Sequence, residues 1–398
     1  MLQTVGSIFF LVLFIYLAMG VGYIFLVSVA GKLRRGNRYQ PAAEKKSIAV
    51  IIPSYKEDSI IVDTARRAAA HNYPTGKFQV FVIADGLKPE TIIRLRAIPV
   101  YVVQVQFETS TKARSLNAAL NRIDSSQFEI AMILDADNIM KEDCLESVNA
   151  AFQKGVKALQ CHRMAKNQQN PVAILDAISE EINNHLFRKG QRALGLSATP
   201  IGSGMAFKFE ELRAIFNLPH ILTNPGEDRE VDIQLMRNRT TVEFADEAVV
   251  LDEKVSSAAV FEKQRVRWIE AQLNHFRRFL QADVSKGEKN INYWNKFFQT
   301  LLLPRSLYIL VFGLFLLLII IEWIFNLHFL FPSRNWWILL MSLFAFSLLL
   351  AIPGSFYNRK TGAAILYLPV LIAKMVRALF RVKQNRTEFL HTPKTYTS

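Results

Sequence analysis

Glu129-Ile130-Ala131-Met132-Ile133-Leu134-Asp135-Ala136-Asp137 runs five apolar residues straight into two acids one residue apart. A short apolar run without alternation reads as a strand buried on both faces. Similar runs lie at residues 48–52, 79–84, 100–105 and 156–160, starting 21 to 31 residues apart, with helical patterns between them at 113–122 and 142–152. Alternating strand and helix predict an α/β domain with a mainly parallel sheet and helices on its faces. Such sheets bind ligands beyond the carboxyl ends of their strands. Asp85 follows the second strand, and Asp135 and Asp137 follow the fourth. The acids therefore stand where a site is expected.

This domain is set between apolar segments. The 398 residues are 51% hydrophobic and carry a net charge of +14, which excludes a disordered chain or a small disulfide scaffold. Cys144 and Cys161 are the two cysteines, so a reducing compartment is expected. Residues 2–30 carry no charge and are followed by Lys32, Arg34, Arg35, Arg38, Lys45 and Lys46. That pattern predicts an anchor with its N-terminus outside and the domain in the cytoplasm, as in a bacterial-type inner membrane. Two further spans are expected near 303–325 and 335–358, with Trp336 and Trp337 as interface anchors and Glu322 snorkelling at the outer face. Residues 361–373 are short for a span and predict an in-plane helix before a basic tail (Lys374, Arg377, Arg381, Lys383, Arg386, Lys394). The expected organisation is thus 1–46 anchor and linker, 47–250 catalytic domain, 251–300 amphipathic interfacial segment, 301–360 two spans, and 361–398 in-plane helix and tail.

No Gly-x-Gly-x-x-Gly follows the first strand and no phosphate-binding Gly-x4-Gly-Lys occurs, which disfavours dinucleotide and ATPase readings. The histidines lack metal-site spacing, and Cys161-His162 reads as a strand end. Asp135-Ala136-Asp137 can converge on a hard divalent cation that keeps positions open for phosphate oxygens, although a simple turn would also place acids there. Around it stand, in order, Pro53-Ser54-Tyr55-Lys56-Glu57, Asp85-Gly86, Lys112-Ala113-Arg114-Ser115-Leu116-Asn117, Gly202-Ser203-Gly204, Glu227-Asp228 and Gln264-Arg265-Val266-Arg267-Trp268.

This ordered set resembles the family-2 inverting nucleotide-sugar glycosyltransferases with the GT-A fold, over about residues 48–268. It is most similar to the membrane branch containing cellulose, hyaluronan and chitin synthases and ceramide glucosyltransferase. The resemblance implies a nucleoside pocket from Pro53, Tyr55, Glu57 and Asp85, with Lys112 near the base or phosphates and Asp135 on the nucleotide. It implies Mg2+ or Mn2+ on Asp137, Asp228 as general base, and Gln264, Arg267 and Trp268 on the acceptor side, with Arg267 near the leaving diphosphate. A UDP-sugar donor and a lipid, lipid-linked or glycan acceptor are implied partners. A processive synthase would need a channel, for which three spans are few unless partner subunits or a homo-oligomer supply it. A non-catalytic scaffold of the same fold should have lost Asp137, Asp228 or Arg267, and all three are present. The chain departs from the family's pattern at Asp85-Gly86-Leu87-Lys88-Pro89, which lacks the small polar residue and second Asp common there, and in its small C-terminal membrane part.

Several alternatives stay open at this level. Glu227 or Asp228 could be a helix cap, Lys112 a solvated first-turn lysine, and Gly202 and Gly204 only a tight turn. Ile269, Leu273, Phe276 and Leu280 form one helical stripe with Arg277 and Arg278 beside it, the pattern of a helix lying in a membrane interface. Residues 31–46, 254–296 and 374–394 each carry a net +5, and the rest of the chain −1. The charge is therefore expected to mark contact with membrane lipids, and a nucleic-acid partner is not expected.

Overall fold

The computed structural model describes residues 2–34, 39–222, 226–281 and 290–382. Among these residues eight strands form one mixed sheet: β1 (Ile48–Tyr55), β2 (Phe78–Asp85), β3 (Tyr101–Val105), β4 (Ile130–Ile133), β5 (Ile139–Met140), β6 (Ala158–Ala165), β7 (Met205–Lys208) and β8 (Val242–Asp252), in the order β3-β2-β1-β4-β7-β6-β8-β5. Four pairings are parallel (β1·β2, β1·β4, β2·β3, β6·β8) and three antiparallel (β4·β7, β6·β7, β5·β8). All five strands expected from the sequence are present.

The apolar runs are continuous because both faces of the sheet are covered. Ile48, Val50 and Ile52 of β1 enter one core and Ala49 and Ile51 the other, all fully buried. Each such Ile or Val contributes roughly 1.5–3 kcal/mol by leaving water. From β1 the chain winds outward through β2 and β3, then returns to place β4 on the other side of β1. The crevice between β1 and β4 is thus where the winding reverses, the usual ligand position in open α/β sheets.

The fifth expected strand is not a neighbour of β4. β6 lies beyond β7, which runs antiparallel to β4 with Met205 opposite Ile133. This inserted strand places its own beginning, Gly202-Ser203-Gly204, at the carboxyl end of β4.

Among the described residues, three helices are long and apolar enough to cross a membrane: Val5–Leu33, Arg305–Ile324 and Arg334–Ala351. Leu17, Val21, Ile24 and Val27 of the first pack with Ile174, Ala177, Ile178 and Ile182 of the helix Pro171–Asn184, and with Tyr308, Phe312, Trp337 and Phe344. The first helix also meets a π-helical turn, His185–Gly190, where His185 Nε2 is 2.8 Å from the Ser28 carbonyl. A Cβ added at Gly190 would overlap the Val27 carbonyl, so glycine is required for this close approach.

Local details differ from the expectations. Trp336 is 56% exposed, but Trp337 is buried and stacks on Phe315 with centroids 3.7 Å apart, because it faces the other apolar helices. Glu322 does not snorkel: it is 2% exposed and accepts from the backbone N–H groups of Phe329 and Leu330, both at 2.7 Å. A carboxylate supplied with two such donors needs no route to water. The expected in-plane segment forms two helices, Arg359–Ile365 and Leu368–Phe380, bent by 46°.

The amphipathic stripe lies on one long helix, Ala258–Gln281. Ile269 packs against Met375 and Ala378, Phe276 stacks on Phe297, and Leu273 is exposed. The side chains of Leu280 and Arg278 lie outside the described residues, as do Arg35, Arg38, Lys383, Arg386 and Lys394. Much of the basic charge expected to face lipid is instead neutralised by the domain. Arg34, Lys45 and Lys46 pair with Glu243, Glu146 and Glu129, while Lys254, Arg265 and Lys296 pair with Asp252, Asp176 and Asp232.

The last of these pairs carries a stability prediction. Lys296 Nζ lies 2.9 Å from Asp232 and donates to Thr199 Oγ1 at 2.8 Å and to the Ala198 carbonyl at 3.3 Å, with both charged side chains 5% exposed. Lys296→Met leaves the Asp232 charge buried without its cation and is expected to destabilise by about 3–5 kcal/mol. Thermal unfolding in detergent checks this, and adding Asp232→Asn should recover part of the loss.

Candidate active site

The site forms where three strand ends and two helix starts meet. Thr111 caps the helix Lys112–Arg122, its hydroxyl accepting from the Arg114 N–H at 3.1 Å. This cap fixes Lys112 as the first helical residue, beside β4. Lys112 Nζ lies 2.6 Å from Asp135 Oδ1, donates to the Gly202 carbonyl at 2.6 Å, and is 3.4 Å from Glu227 Oε1. It is therefore not a solvated first-turn lysine. Burial alone would lower its pKa, but Asp135, Glu227 and Asp228 outweigh that and hold it above its usual value as a cation.

Gly202 and Gly204 have φ of +82° and +63°. A Cβ on Gly204 would come 3.3 Å from Cys161 and Val250 side-chain atoms, and one on Gly202 would lie 3.5 Å from Lys112 Nζ and 3.7 Å from Glu227 Oε1. The tight turn and the site are the same feature, because the turn aims a carbonyl at Lys112. Ser203 between them accepts from the Asp135 N–H at 2.9 Å and donates to the Asn138 amide oxygen at 2.8 Å. In that orientation the Asn138 nitrogen donates to Asp137 Oδ1 at 2.9 Å and to Asp252 Oδ1 at 3.2 Å. The Asp-x-Asp turn is held from below in this way, with Asp137 5% exposed and the Asp135 side chain one-third exposed.

Asp85 closes β2 opposite Tyr55, which closes β1. Its carboxylate accepts from Ser110 at 3.1 Å and Ser115 at 3.5 Å, and burial raises its pKa despite those hydroxyls and nearby Lys56. Lys56 Nζ lies 5.1 Å from the Tyr55 ring centroid. Pro53 is part of β1, and the Glu57 carbonyl accepts from Ile60 and Ile61 at the start of the next helix.

The helix Glu227–Arg237 begins beside Lys112. Asp228 Oδ1 accepts from the Arg229 N–H at 2.9 Å. Burial lowers the pKa of Arg267, and the Glu227 charge opposes that shift. Gln264, one turn earlier on the same helix, has its Oε1 buried without a hydrogen-bond partner among the described residues. Trp268 is 39% exposed, with the Arg265 guanidinium 4.0 Å from its ring centroid.

Glu227, which the sequence alone allows to be a simple helix cap, is instead buried at 8% exposure with Oε1 3.4 Å from Lys112 Nζ. Burial pushes its pKa up to about 7 from 4.5; Lys112 opposes the shift and Asp228 adds to it. A carboxyl whose folded-state pKa lies above its unfolded value contributes stability that is complete below about pH 4.5 and lost as pH rises through about 7. The melting temperature of Glu227→Gln relative to wild type should therefore climb between about pH 5 and 8. A flat difference contradicts this assignment.

The glycosyltransferase-like family 2 model matches residues 45–271, more than half of the chain, and contains every motif just placed. The chain belongs to that family. Among curated proteins it is 24% identical over 229 residues to a β-monoglucosyldiacylglycerol synthase of Trichormus variabilis and 23% identical to one from a Nostoc species. Each match covers 56% of this chain and 48% of the relative, so the chain spans about half the length of the curated relatives it matches. Among solved structures, the mannosyltransferase PcManGT from Pyrobaculum calidifontis, in complex with GDP-Man and Mn2+, aligns over 96% of this chain and 100% of that one, with a TM-score of 0.56 and 16% identity. That likeness establishes the GT-A type of fold for this family-2 member.

Proposed function

We propose that the chain is a membrane-bound inverting glycosyltransferase that moves a sugar from a UDP-sugar to a hydroxyl of a lipid or lipid-linked acceptor. One observation carries the reading: Lys112 joins Asp135, the Gly202 carbonyl and Glu227, beside Asp228, at the β1/β4 reversal. Pro53, Tyr55, Glu57 and Asp85 would take the nucleoside at the ends of β1 and β2. Asp228 would accept the acceptor's hydroxyl proton as the oxygen attacks the anomeric carbon opposite the diphosphate. The bond to the diphosphate oxygen breaks, its electron pair leaves with UDP, and the configuration inverts. Lys112 and Arg267 would offset charge on the departing diphosphate. Gln264 and the open face of Trp268 would receive the acceptor.

Asp135 and Asp137 supply hard oxygen donors on one strand end, and the residues fit Mg2+ or Mn2+ bound through one or two carboxylates together with diphosphate oxygens. Such an ion would neutralise charge on the leaving group. The Mn2+ named with GDP-Man in PcManGT supports a divalent ion, and the relatives named as glucosyldiacylglycerol synthases support a glycolipid product. The three apolar helices support membrane association, and the basic residues that follow the first of them would place the domain in the cytoplasm with the N-terminus outside.

Product size separates this reading from a processive synthase. Membranes carrying the chain and a labelled UDP-sugar should yield label extractable with lipid. Long polymer contradicts the lipid-acceptor reading.

A further inference from the structure

We propose that Arg265 is a positioning residue: through Asp176 it sets the acceptor-side Trp268 at a fixed place relative to the apolar helices. What Trp268 does there rests on the function proposed above, whereas its placement does not.

The helix Ala258–Gln281 presents three faces. Phe261, Arg265 and Trp268 fall at i, i+4 and i+7 on one of them. The Arg265 guanidinium lies between the two rings, 4.3 Å from the Phe261 centroid and 4.0 Å from that of Trp268. Its Nη2 donates to Asp176 Oδ1 at 2.6 Å, and the two residues are 8% and 6% exposed. A second face carries Glu262, Val266 and Ile269 against the helix Leu368–Phe380, with Lys374 3.0 Å and Arg381 2.7 Å from Glu262. Gln264 and Arg267 fall on the remaining side of the helix.

Asp176 is itself anchored. Its helix, Pro171–Asn184, packs on the first apolar helix. Arg305, the first residue of the second apolar helix, donates to both the carbonyl and the hydroxyl of Ser179 at 2.9 Å. The chain of contact thus runs from two apolar helices through Ser179 and Asp176 to Arg265 and on to the indole. Apolar packing is non-directional and tolerates small rotations of a helix, whereas a buried charge-assisted bond fixes one register. The guanidinium is planar, so it can stack on the indole while bonding to the carboxylate, which an ammonium cannot reproduce.

The test uses the full chain in phosphatidylcholine vesicles with and without brominated acyl chains. The Trp268 fluorescence is isolated by subtracting Trp268→Phe in each background, and UDP with Mn2+ is the binding probe. Arg265→Lys and Asp176→Asn should change bromolipid quenching of Trp268 by about twofold or more, with UDP affinity held within about twofold. Asp176→Glu, which keeps the charge, should move the signal in the same sense by less, and it covers the case in which either other variant fails to fold. An unchanged Trp268 signal in folded variants overturns the proposal, as does a parallel loss of UDP affinity, which would mark a general structural role. Absence of UDP binding by wild type counts against the proposed function instead and leaves the Trp268 reading to be judged on its own.

Discussion

Asp228→Asn is expected to lower sugar transfer by roughly 10²–10⁴-fold, the usual worth of a positioned general base, while UDP affinity stays within about twofold. The substitution is nearly isosteric, and the new amide oxygen can still accept the Arg229 N–H that Asp228 accepts now. What the proposed mechanism would lose is the carboxylate that takes the proton from the attacking hydroxyl. Donor binding should persist because Lys112 keeps its bonds to Asp135 and Gly202. Initial-rate transfer assays and UDP titrations on the same preparation check both halves. Turnover equal to wild type would remove Asp228 from the mechanism.

Removing divalent cations is expected to have an effect of similar size. Neutralising a departing diphosphate is worth several kcal/mol, so a chelator should cut transfer by about 10³-fold, and Mn2+ or Mg2+ should restore it. Asp137→Ala should not be restored at the same metal concentration, and its UDP affinity should no longer respond to metal. The Asn138 amide that now faces Asp137 retains Asp252 as an acceptor at 3.2 Å, so the turn should persist and the variant should stay folded. Full activity of Asp137→Ala in chelator would contradict this assignment.

The strands of the catalytic domain were legible because parallel strands buried on both faces leave continuous apolar runs, as in β1 and β4. The order of the strands was not, since β7 enters between β4 and β6 through pairings that no local pattern encodes. That insertion also decides the glycines: the Gly202–Gly204 turn reaches the site only because β7 runs antiparallel to β4. The motifs pointed to Lys112 and Asp135, but their bond needed the three-dimensional arrangement. Glu227 showed as an acid at a helix start, and its raised pKa depends on burial that the sequence does not reveal. Lys254, Arg265 and Lys296 pair with buried acids of the domain, a pairing hidden from the sequence for the same kind of reason. A segment's net charge does not reveal a partner such as Asp176, which lies 89 residues from Arg265.

The most direct test of sugar transfer at this site is UDP release by the chain in a membrane fraction, measured across a panel of UDP-sugars. Release from at least one UDP-sugar, dependent on Mg2+ or Mn2+ and abolished by Asp228→Asn, is the predicted result. No release from any of them, or release that survives Asp228→Asn unchanged, would contradict it.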